Sequence, residues 1–261
     1  MNALWNRPKR LLVLPIALAL GALLVAVLTL WLEPGSAAAR VVLDYQSAPA
    51  PNSPFLYPFT VQNLMHLLLF VGLGEIYCRW RISEAERSLI GEHLLPEDYQ
   101  VVLQSHDLPP IRARVAGRHD GEHGFLPSLI DLCILQFQAS RSVDQTVSVL
   151  NSSLELIAHR VDLRYAMLRY IVWVIPTIGF IGTVIGISLA MSLIDPGAAT
   201  QDLGEIAKSL GVAFYTTLVA LVESAILVLL LNLVQAREEL ALNQAGHYTL
   251  TNLINRLYAG T

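Results

Sequence analysis

Hydroxyl and carboxyl side chains occur inside two apolar stretches that carry almost no charge. The stretch 175–194 reads IPTIGFIGTVIGISLAMSLI, and the stretch 209–236 contains a single charged residue, Glu223. Because a carboxyl in hydrocarbon is costly, it normally faces the interior of a helix bundle or a water-filled cavity. Two helices of this kind that face each other would line a narrow polar path or hold a polar guest helix.

Small residues at helical spacing predict a smooth face on each of these stretches. The first face surrounds Thr183, and the second includes Thr216 and ends at Glu223. The small residues are Gly179, Gly182, Gly186, Ala190, Ala213 and Ala220. Such faces usually let another helix approach closely in lipid, so helix packing alone also explains the pattern. Pro176 adds a backbone carbonyl that lacks its helical donor.

The composition is that of a membrane protein. Of 261 residues, 54% are hydrophobic and only 15% are charged. A formal net charge of -4, with no run of basic residues beyond the first ten, argues against a nucleic-acid partner. Cys78 and Cys133 lie far apart without a CxxC motif, so we interpret them as packing residues.

Four stretches are long and apolar enough to cross about 30 Å of hydrocarbon. They cover roughly residues 11–32, 55–76, 170–194 and 209–236. The predicted fold is therefore an all-α membrane protein with four transmembrane helices.

Basic residues orient these helices. With the N-terminus in the cytoplasm, fifteen of the 17 Lys and Arg residues lie inside, and Arg40 and Lys208 lie outside. This asymmetry follows the positive-inside rule and predicts that both termini are cytoplasmic. The first apolar run, followed by SAAAR, also resembles a signal peptide. Because the run has 22 residues and a signal core usually has about 7–15, we favour an uncleaved anchor.

A long helix is predicted to lead into the third membrane span. No proline or glycine occurs between Pro127 and Pro176, so we expect one helix from about Pro127 to Ile194 that extends far into the cytoplasm. Its apolar residues step by four and three and form a heptad seam of Val143, Val147, Leu150, Leu154, Ile157 and Val161. Such a seam must pack against a partner, either the chain's own fourth helix or copies of itself.

At these residues the sequence resembles the MotA/TolQ/ExbB proton-channel family. The resemblance covers about residues 164–239 and rests on IPTIGFIGTVIGI, an acidic loop, EIAKSLGVAFYTTLVAL and the charged exit AREEL. It is closest to the ExbB/TolQ/ZorA type, here with four spans. Family members form homopentamers around two copies of a single-span partner of the MotB/TolR/ExbD type, whose aspartate is protonated and released. The resemblance thus implies an ion-driven stator subunit of the bacterial inner membrane.

The resemblance also implies a domain organisation. An N-terminal transmembrane hairpin (1–77) and a cytoplasmic helical segment (78–126) precede a family-like channel domain (127–261).

Pore-lining roles in the family transfer to Pro176 and Thr183 and, more loosely, to Thr216 and Thr217. The glutamate that precedes the fourth-helix motif in TolQ and ExbB is matched only by Glu205, displaced by about a turn.

Glu223 has no counterpart in the family pattern. As part of an ion path it would be a protonatable or cation-binding group that faces the interior of the pentamer, in the cytoplasmic half. The alternative is a protonated carboxyl that bonds a neighbouring helix.

The predicted function is translocation of an ion, with the proton as first candidate, in a motor driven by the ion motive force. The expected surroundings are lipid, copies of the chain and a dimeric single-span partner. The alternative is a non-conducting membrane scaffold whose small-residue face only binds a partner helix. Hydroxyl groups at positions where a scaffold needs only glycine and alanine favour translocation.

Other chemistry has weaker support in the sequence. GISLA (186–190) mimics the Gly-x-Ser of an intramembrane serine protease, but His66 is the only intramembrane histidine that could serve Ser188 as a base. His119 and His123 have a metal-like spacing without a further ligand pair, so we expect a solvated loop. No Walker A, GxGxxG or HExxH motif occurs. We therefore predict neither enzymatic activity nor a resident cofactor or metal.

Overall fold

The computed structural model describes residues 10–45, 57–120, 123–194 and 203–258. The helices in these ranges are α1 (Arg10–Trp31), α2 (Ala37–Leu43), α3 (Val61–Ile90), α4 (Leu108–Val115), α5 (Phe125–Ser140), α6 (Val143–Arg164), α7 (Ala166–Ser192) and α8 (Leu203–Asn252). A short 3-10 helix follows at Ile254–Arg256. The described ranges contain no β-strand, and an isolated parallel bridge joins Leu103 to Leu257.

Four helical stretches in this part of the chain are long and apolar enough to cross a membrane. They are Arg10–Trp31, Val61–Ile90, Val143–Ser192 and Leu203–Arg256. Within the described residues, this confirms the prediction of an all-α fold with four helices that are long and apolar enough to cross a membrane. The second helix begins at Val61 rather than near residue 55, because the Thr60 hydroxyl accepts the backbone N–H of Asn63 at 3.2 Å and caps it. The part of that predicted span over residues 55–56 lies outside the described residues.

The described residues form two compact units. Unit 1 contains residues 78–120, 123–166 and 233–258, and unit 2 contains residues 10–45, 57–77, 167–194 and 203–232. The helices α3, α7 and α8 contribute residues to both.

In unit 2, α1 packs closely on the first half of α3 through small residues. A Cβ added to Gly74 would lie 2.6 Å from the Cβ of Ala17, and one added to Gly21 would lie 3.0 Å from the Cβ of Phe70. The opposite side of α1 exposes large apolar side chains, including Leu11 and Leu23. Small residues toward the bundle and large apolar residues away from it are typical of helices in lipid.

Unit 1 corrects the prediction of one uninterrupted helix from Pro127 to Ile194. That prediction is wrong because α5 ends at Ser140 and α6 begins only at Val143. Arg141 closes α5 in the left-handed conformation with φ 52°, and the Ser142 hydroxyl accepts the Gln145 N–H at 3.3 Å to start α6. The absence of glycine and proline therefore does not prevent a break, because a serine cap and one left-handed residue make it.

A second, shorter interruption occurs at Tyr165, between α6 and α7. Tyr165 is fully buried, and its hydroxyl donates to Glu238 Oε2 at 2.8 Å. Arg164 contacts the other oxygen of Glu238 at 3.3 Å. Glu238 belongs to the AREEL segment, so this charged segment is anchored on the end of α6.

The heptad seam of α6 packs within the chain. Leu150, Ile157 and Val161 are buried, and α6 lies against α5. A Cβ added to Gly246 of α8 would lie 2.9 Å from both methyl carbons of Leu154. Of the two partners considered for the seam, the chain's own fourth helix is therefore one that it contacts.

Burial also explains the inert character expected of Cys133. The side chain lies in the core of α5, and loss of hydration raises the pKa of the thiol to about 12. The thiol is therefore uncharged and poorly nucleophilic at neutral pH.

The N-terminus of α5 is held by a buried carboxylate of α3. Glu86 accepts the backbone N–H groups of Gly124 and Phe125, each at 2.8 Å. Gly124 has φ 82°, and a Cβ there would lie 2.7 Å from the carbonyl oxygen of Arg118, so glycine is required. A negative charge at a helix N-terminus also complements the helix dipole.

We expect Glu86→Ala to lower the free energy of unfolding by about 2 kcal/mol, because two buried N–H groups lose a charged acceptor. The measurement is the thermal unfolding midpoint of the purified protein in detergent. Glu84→Ala, in the same helix and exposed, is the control. Equal midpoints for the two variants would contradict the assignment.

Candidate functional site

Within unit 2, the small-residue faces of α7 and α8 meet each other. A Cβ added to Gly182 would lie 2.9 Å from three side-chain atoms of Thr216, and one added to Gly186 would lie 2.7 Å from the Cβ of Ala213. Gly179 faces Ala220 even more closely. The two backbones therefore approach as far as glycine allows. Ala190, the last small residue predicted for this face, is also buried.

Three threonine hydroxyls cluster at this contact. Thr183 donates to the Ala213 carbonyl oxygen at 2.9 Å and also contacts the hydroxyl of Thr217. Thr216 lies 2.8 Å from the same carbonyl and 3.3 Å from that of Gly179. Thr217 lies 3.4 Å from the Gly179 carbonyl. We call Thr183, Thr216 and Thr217 the hydroxyl cluster.

Two hydroxyls of the cluster, those of Thr183 and Thr216, lie within hydrogen-bond distance of the same carbonyl oxygen, that of Ala213. A carbonyl oxygen has two lone pairs, and inside α8 one of them accepts the helical N–H four residues later. Thr183 and Thr216 therefore compete for the other. The hydroxyl that does not bond Ala213 has a second acceptor within reach, so the hydrogens of the cluster can reorient.

Pro176 leaves a carbonyl that α8 satisfies. Without an N–H, Pro176 cannot donate to the carbonyl of Val172, its partner in a regular helix. The hydroxyl of Ser224 donates to this oxygen at 3.2 Å. The sequence predicted the unpaired carbonyl, and the structure identifies Ser224 as its partner.

Glu223 points to α3 and not to the hydroxyl cluster. Its Oε1 contacts Nδ1 of His66, and the other ring nitrogen, Nε2, lies 2.9 Å from the carbonyl oxygen of Val42 in α2. Both side chains are buried, with 5% of Glu223 and 6% of His66 exposed. Bonding to a neighbouring helix was one of the two interpretations left open for Glu223.

Three polar atoms near this pair have no hydrogen-bond partner. They are Oε2 of Glu223 and both amide atoms of Gln62, whose side chain is fully buried. Gln62 precedes His66 by four residues in α3, so the two side chains share one face of that helix.

The structure divides the predicted ion-path residues into two groups. The three threonines and the carbonyl freed by Pro176 lie along the contact of α7 with α8, whereas Glu223 contacts α3. Sequence reasoning missed Ser224 and Gln62 as site residues, and it considered His66 only as a base for Ser188. Both ring nitrogens of His66 are engaged by other groups, and Ser188 is exposed. One signal in the sequence could have indicated Gln62 and His66 as site residues: the two are polar and lie four positions apart in an apolar run.

Cation ligands are not clustered in the described residues, which contain no group of three or more His, Cys, Asp and Glu side chains suited to a metal ion. His123 bonds Asp120 at 3.1 Å, and His119 lies 3.8 Å from Asp131.

The contact of α7 with α8 generates a prediction about Gly182. Gly182→Ala places a methyl group 2.9 Å from Thr216, so we expect a loss of stability of about 1–3 kcal/mol from overpacking. Gly211→Ala is the matched control, because its nearest neighbour would be a ring carbon of Tyr215 at 3.6 Å. Thermal unfolding in detergent measures both. Unchanged stability with loss of a co-purifying partner would instead place Gly182 at an interface between chains.

Comparison with known proteins gives one family and no individual relative. Neither a curated protein nor a solved structure gives a significant match to the chain. Residues 125–245, which include the hydroxyl cluster, Pro176 and Glu223, match the MotA/TolQ/ExbB proton channel family. This segment of the chain is therefore similar to a family of membrane channel and motor subunits, the MotA/TolQ/ExbB proton channel family.

Proposed function

We propose that the chain is the ion-translocating subunit of a motor that is driven by the ion motive force, and that the ion is the proton. The observation that carries this proposal is the hydroxyl cluster at the contact of α7 with α8. A hydroxyl both donates and accepts, so hydroxyls with alternative acceptors can pass a proton or rearrange around an ion. The family match over residues 125–245 supports the same class of function.

The hydroxyl cluster is only partly enclosed by its own chain. Thr216 is buried, whereas Thr183 and Thr217 are half-buried. In the proposed mechanism, the accessible side of these two hydroxyls meets the acidic side chain of a single-span partner. The proton then passes between that carboxyl and the cluster, and the carboxyl is released as the subunits move.

The proposed assembly is a homopentamer around a dimer of the single-span partner, in the bacterial inner membrane with both termini cytoplasmic. Its support is the positive-inside asymmetry and the apolar surface of α7. Large side chains on α7 are exposed in one chain, among them Phe180, Val184 and Met191. Lipid or neighbouring copies would cover them. The division into a transmembrane hairpin (1–77), a cytoplasmic segment (78–126) and a channel domain (127–261) belongs to the same proposal.

A non-conducting scaffold is the second candidate, and one observation favours it. The small residues of α7 pack against those of α8 within the same chain, and the threonine hydroxyls bond backbone carbonyls. The cluster would then serve only to join two helices. The two candidates differ in whether the chemistry of the hydroxyl matters beyond folding.

We expect Thr183→Val to reduce proton flux or motor output by about tenfold or more, which corresponds to about 1.4 kcal/mol in the barrier. Valine keeps the shape of threonine and removes the donor and acceptor. Thr183→Ser restores the hydroxyl and should restore the flux. The assay is proton uptake by proteoliposomes that contain the chain and its single-span partner.

The control for this experiment is Thr177→Val. Thr177 lies in the same helix, and its hydroxyl donates to the Trp173 carbonyl at 2.9 Å within α7. The substitution makes the same chemical change away from the contact with α8. If Thr183→Val and Thr177→Val support equal flux, the scaffold is the better description.

A further inference from the structure

We propose that His66 and Glu223 form a proton-binding site within the bundle of unit 2, separate from the hydroxyl cluster. The family match covers Glu223 but not His66, which lies outside residues 125–245. The proposal rests on the hydrogen-bond geometry and burial of the pair.

The number of protons on the pair follows from the atoms that each group faces. The carbonyl oxygen of Val42 can only accept, so Nε2 of His66 must carry a hydrogen to bond it at 2.9 Å. In a neutral imidazole with Nε2–H, the other nitrogen is an acceptor. Nδ1 faces Oε1 of Glu223, which as a carboxylate is also only an acceptor. One further proton must therefore lie between Nδ1 and Oε1.

This shared proton makes the pair electrically neutral. With it, the pair is either imidazolium and carboxylate or neutral imidazole and carboxylic acid, and both forms have zero net charge. Without it, two acceptors face each other and one negative charge stays buried, because only 5% of Glu223 and 6% of His66 are exposed. Because an unpaired charge in a low-dielectric interior is costly, the geometry strongly favours the protonated pair.

Apart from Glu223, the apolar stretches of three helices carry no charged side chain. These stretches are residues 11–32, 170–194 and 209–236. The ionisable side chain in contact with His66 is that of Glu223. The remaining charged side chains of the helices and caps in unit 2 are Arg10, Arg40, Asp44, Glu75, Arg169, Glu205 and Lys208, and its tyrosines are Tyr45, Tyr57, Tyr77, Tyr170 and Tyr215. Glu75, the other carboxyl of α3 in this unit, accepts from Arg10 Nε at 2.8 Å.

Exchange of the proton requires an atom that is not already bonded, and Oε2 of Glu223 is that atom. It is buried without a partner, as are both amide atoms of Gln62 one turn before His66. Buried polar groups in this state usually bind water, which can deliver or remove a proton. In the neutral-acid form, a half-turn of the carboxyl about its Cγ–Cδ bond brings the proton on Oε1 to the side where Oε2 lay. There a water accepts this proton and donates another to the carboxylate, so the pair gives up one proton and gains one.

The role of this exchange in ion flux rests on the proposed function, whereas proton binding by the pair does not. The test is therefore nitrogen-15 NMR of histidine-labelled protein in lipid nanodiscs, without a partner or an ion gradient. The chain has 7 histidines, so His66→Gln and His66→Asn identify the signal of His66 by its loss. Glutamine and asparagine retain an amide donor near the position of Nε2 and Nδ1, respectively.

At pH 8, where an exposed imidazole with a pKa of about 6.5 is neutral, we expect the wild-type Nδ1 signal to report a proton that the carboxyl donates to Nδ1, shares with it or has transferred to it. Glu223→Gln keeps a hydrogen bond to Nδ1 and removes the acid, so the signal should change to that of an ordinary neutral imidazole. Glu75→Gln, the same change in another buried carboxyl, should leave the signal of His66 unchanged.

Two results would overturn the proposal. One is a His66 signal that is the same in wild type and Glu223→Gln, and the other is a wild-type His66 that titrates as an exposed imidazole. A failure of Thr183→Val to reduce flux would count against the proposed function and would leave these spectra unaffected.

Discussion

Lipid offers no hydrogen bonds, so a polar side chain or an unpaired carbonyl inside an apolar helix bundle is stabilised by a partner within the bundle. The interior of unit 2 is organised by this requirement. The carbonyl that Pro176 leaves unpaired is bonded by Ser224, and the carboxyl of Glu223 is bonded by His66. The first bond joins α8 to α7, and the second joins α3 to α8.

Close approach of the helices makes these bonds possible. The Thr183 hydroxyl reaches the Ala213 carbonyl at 2.9 Å only because the backbones of α7 and α8 are separated by little more than glycine and alanine. Larger residues at Gly182 or Gly186 would hold the helices apart and leave the hydroxyl without this acceptor. The glycines and the threonines are therefore parts of one arrangement. The small residues allow the short distance between α7 and α8, and the hydroxyls form hydrogen bonds across it.

Periodicity predicted the features of this protein that depend on one helix at a time. The small-residue faces and the seam of α6 were predictable because each repeats at the helical period, and the apolar stretches were predictable from their length and near absence of charge. The break at Arg141 and Ser142 was not, since its cap depends on a local hydrogen bond that competes with a continuous helix. The pairing of His66 with Glu223 was also beyond the sequence. These residues are 157 positions apart, and no pattern along the chain indicates which residues of α3 face α8.

The bond between Ser224 and the Val172 carbonyl exists because Pro176 supplies no N–H. The contribution of the Ser224 hydroxyl to stability thus depends on the residue at position 176. In a background with alanine in place of Pro176, the helix itself bonds the carbonyl, and loss of the serine hydroxyl has little remaining effect. With the proline present, the same loss leaves the Val172 carbonyl without its hydrogen-bond partner. Pro176 and Ser224 are therefore epistatic: the free energies of the two substitutions do not add.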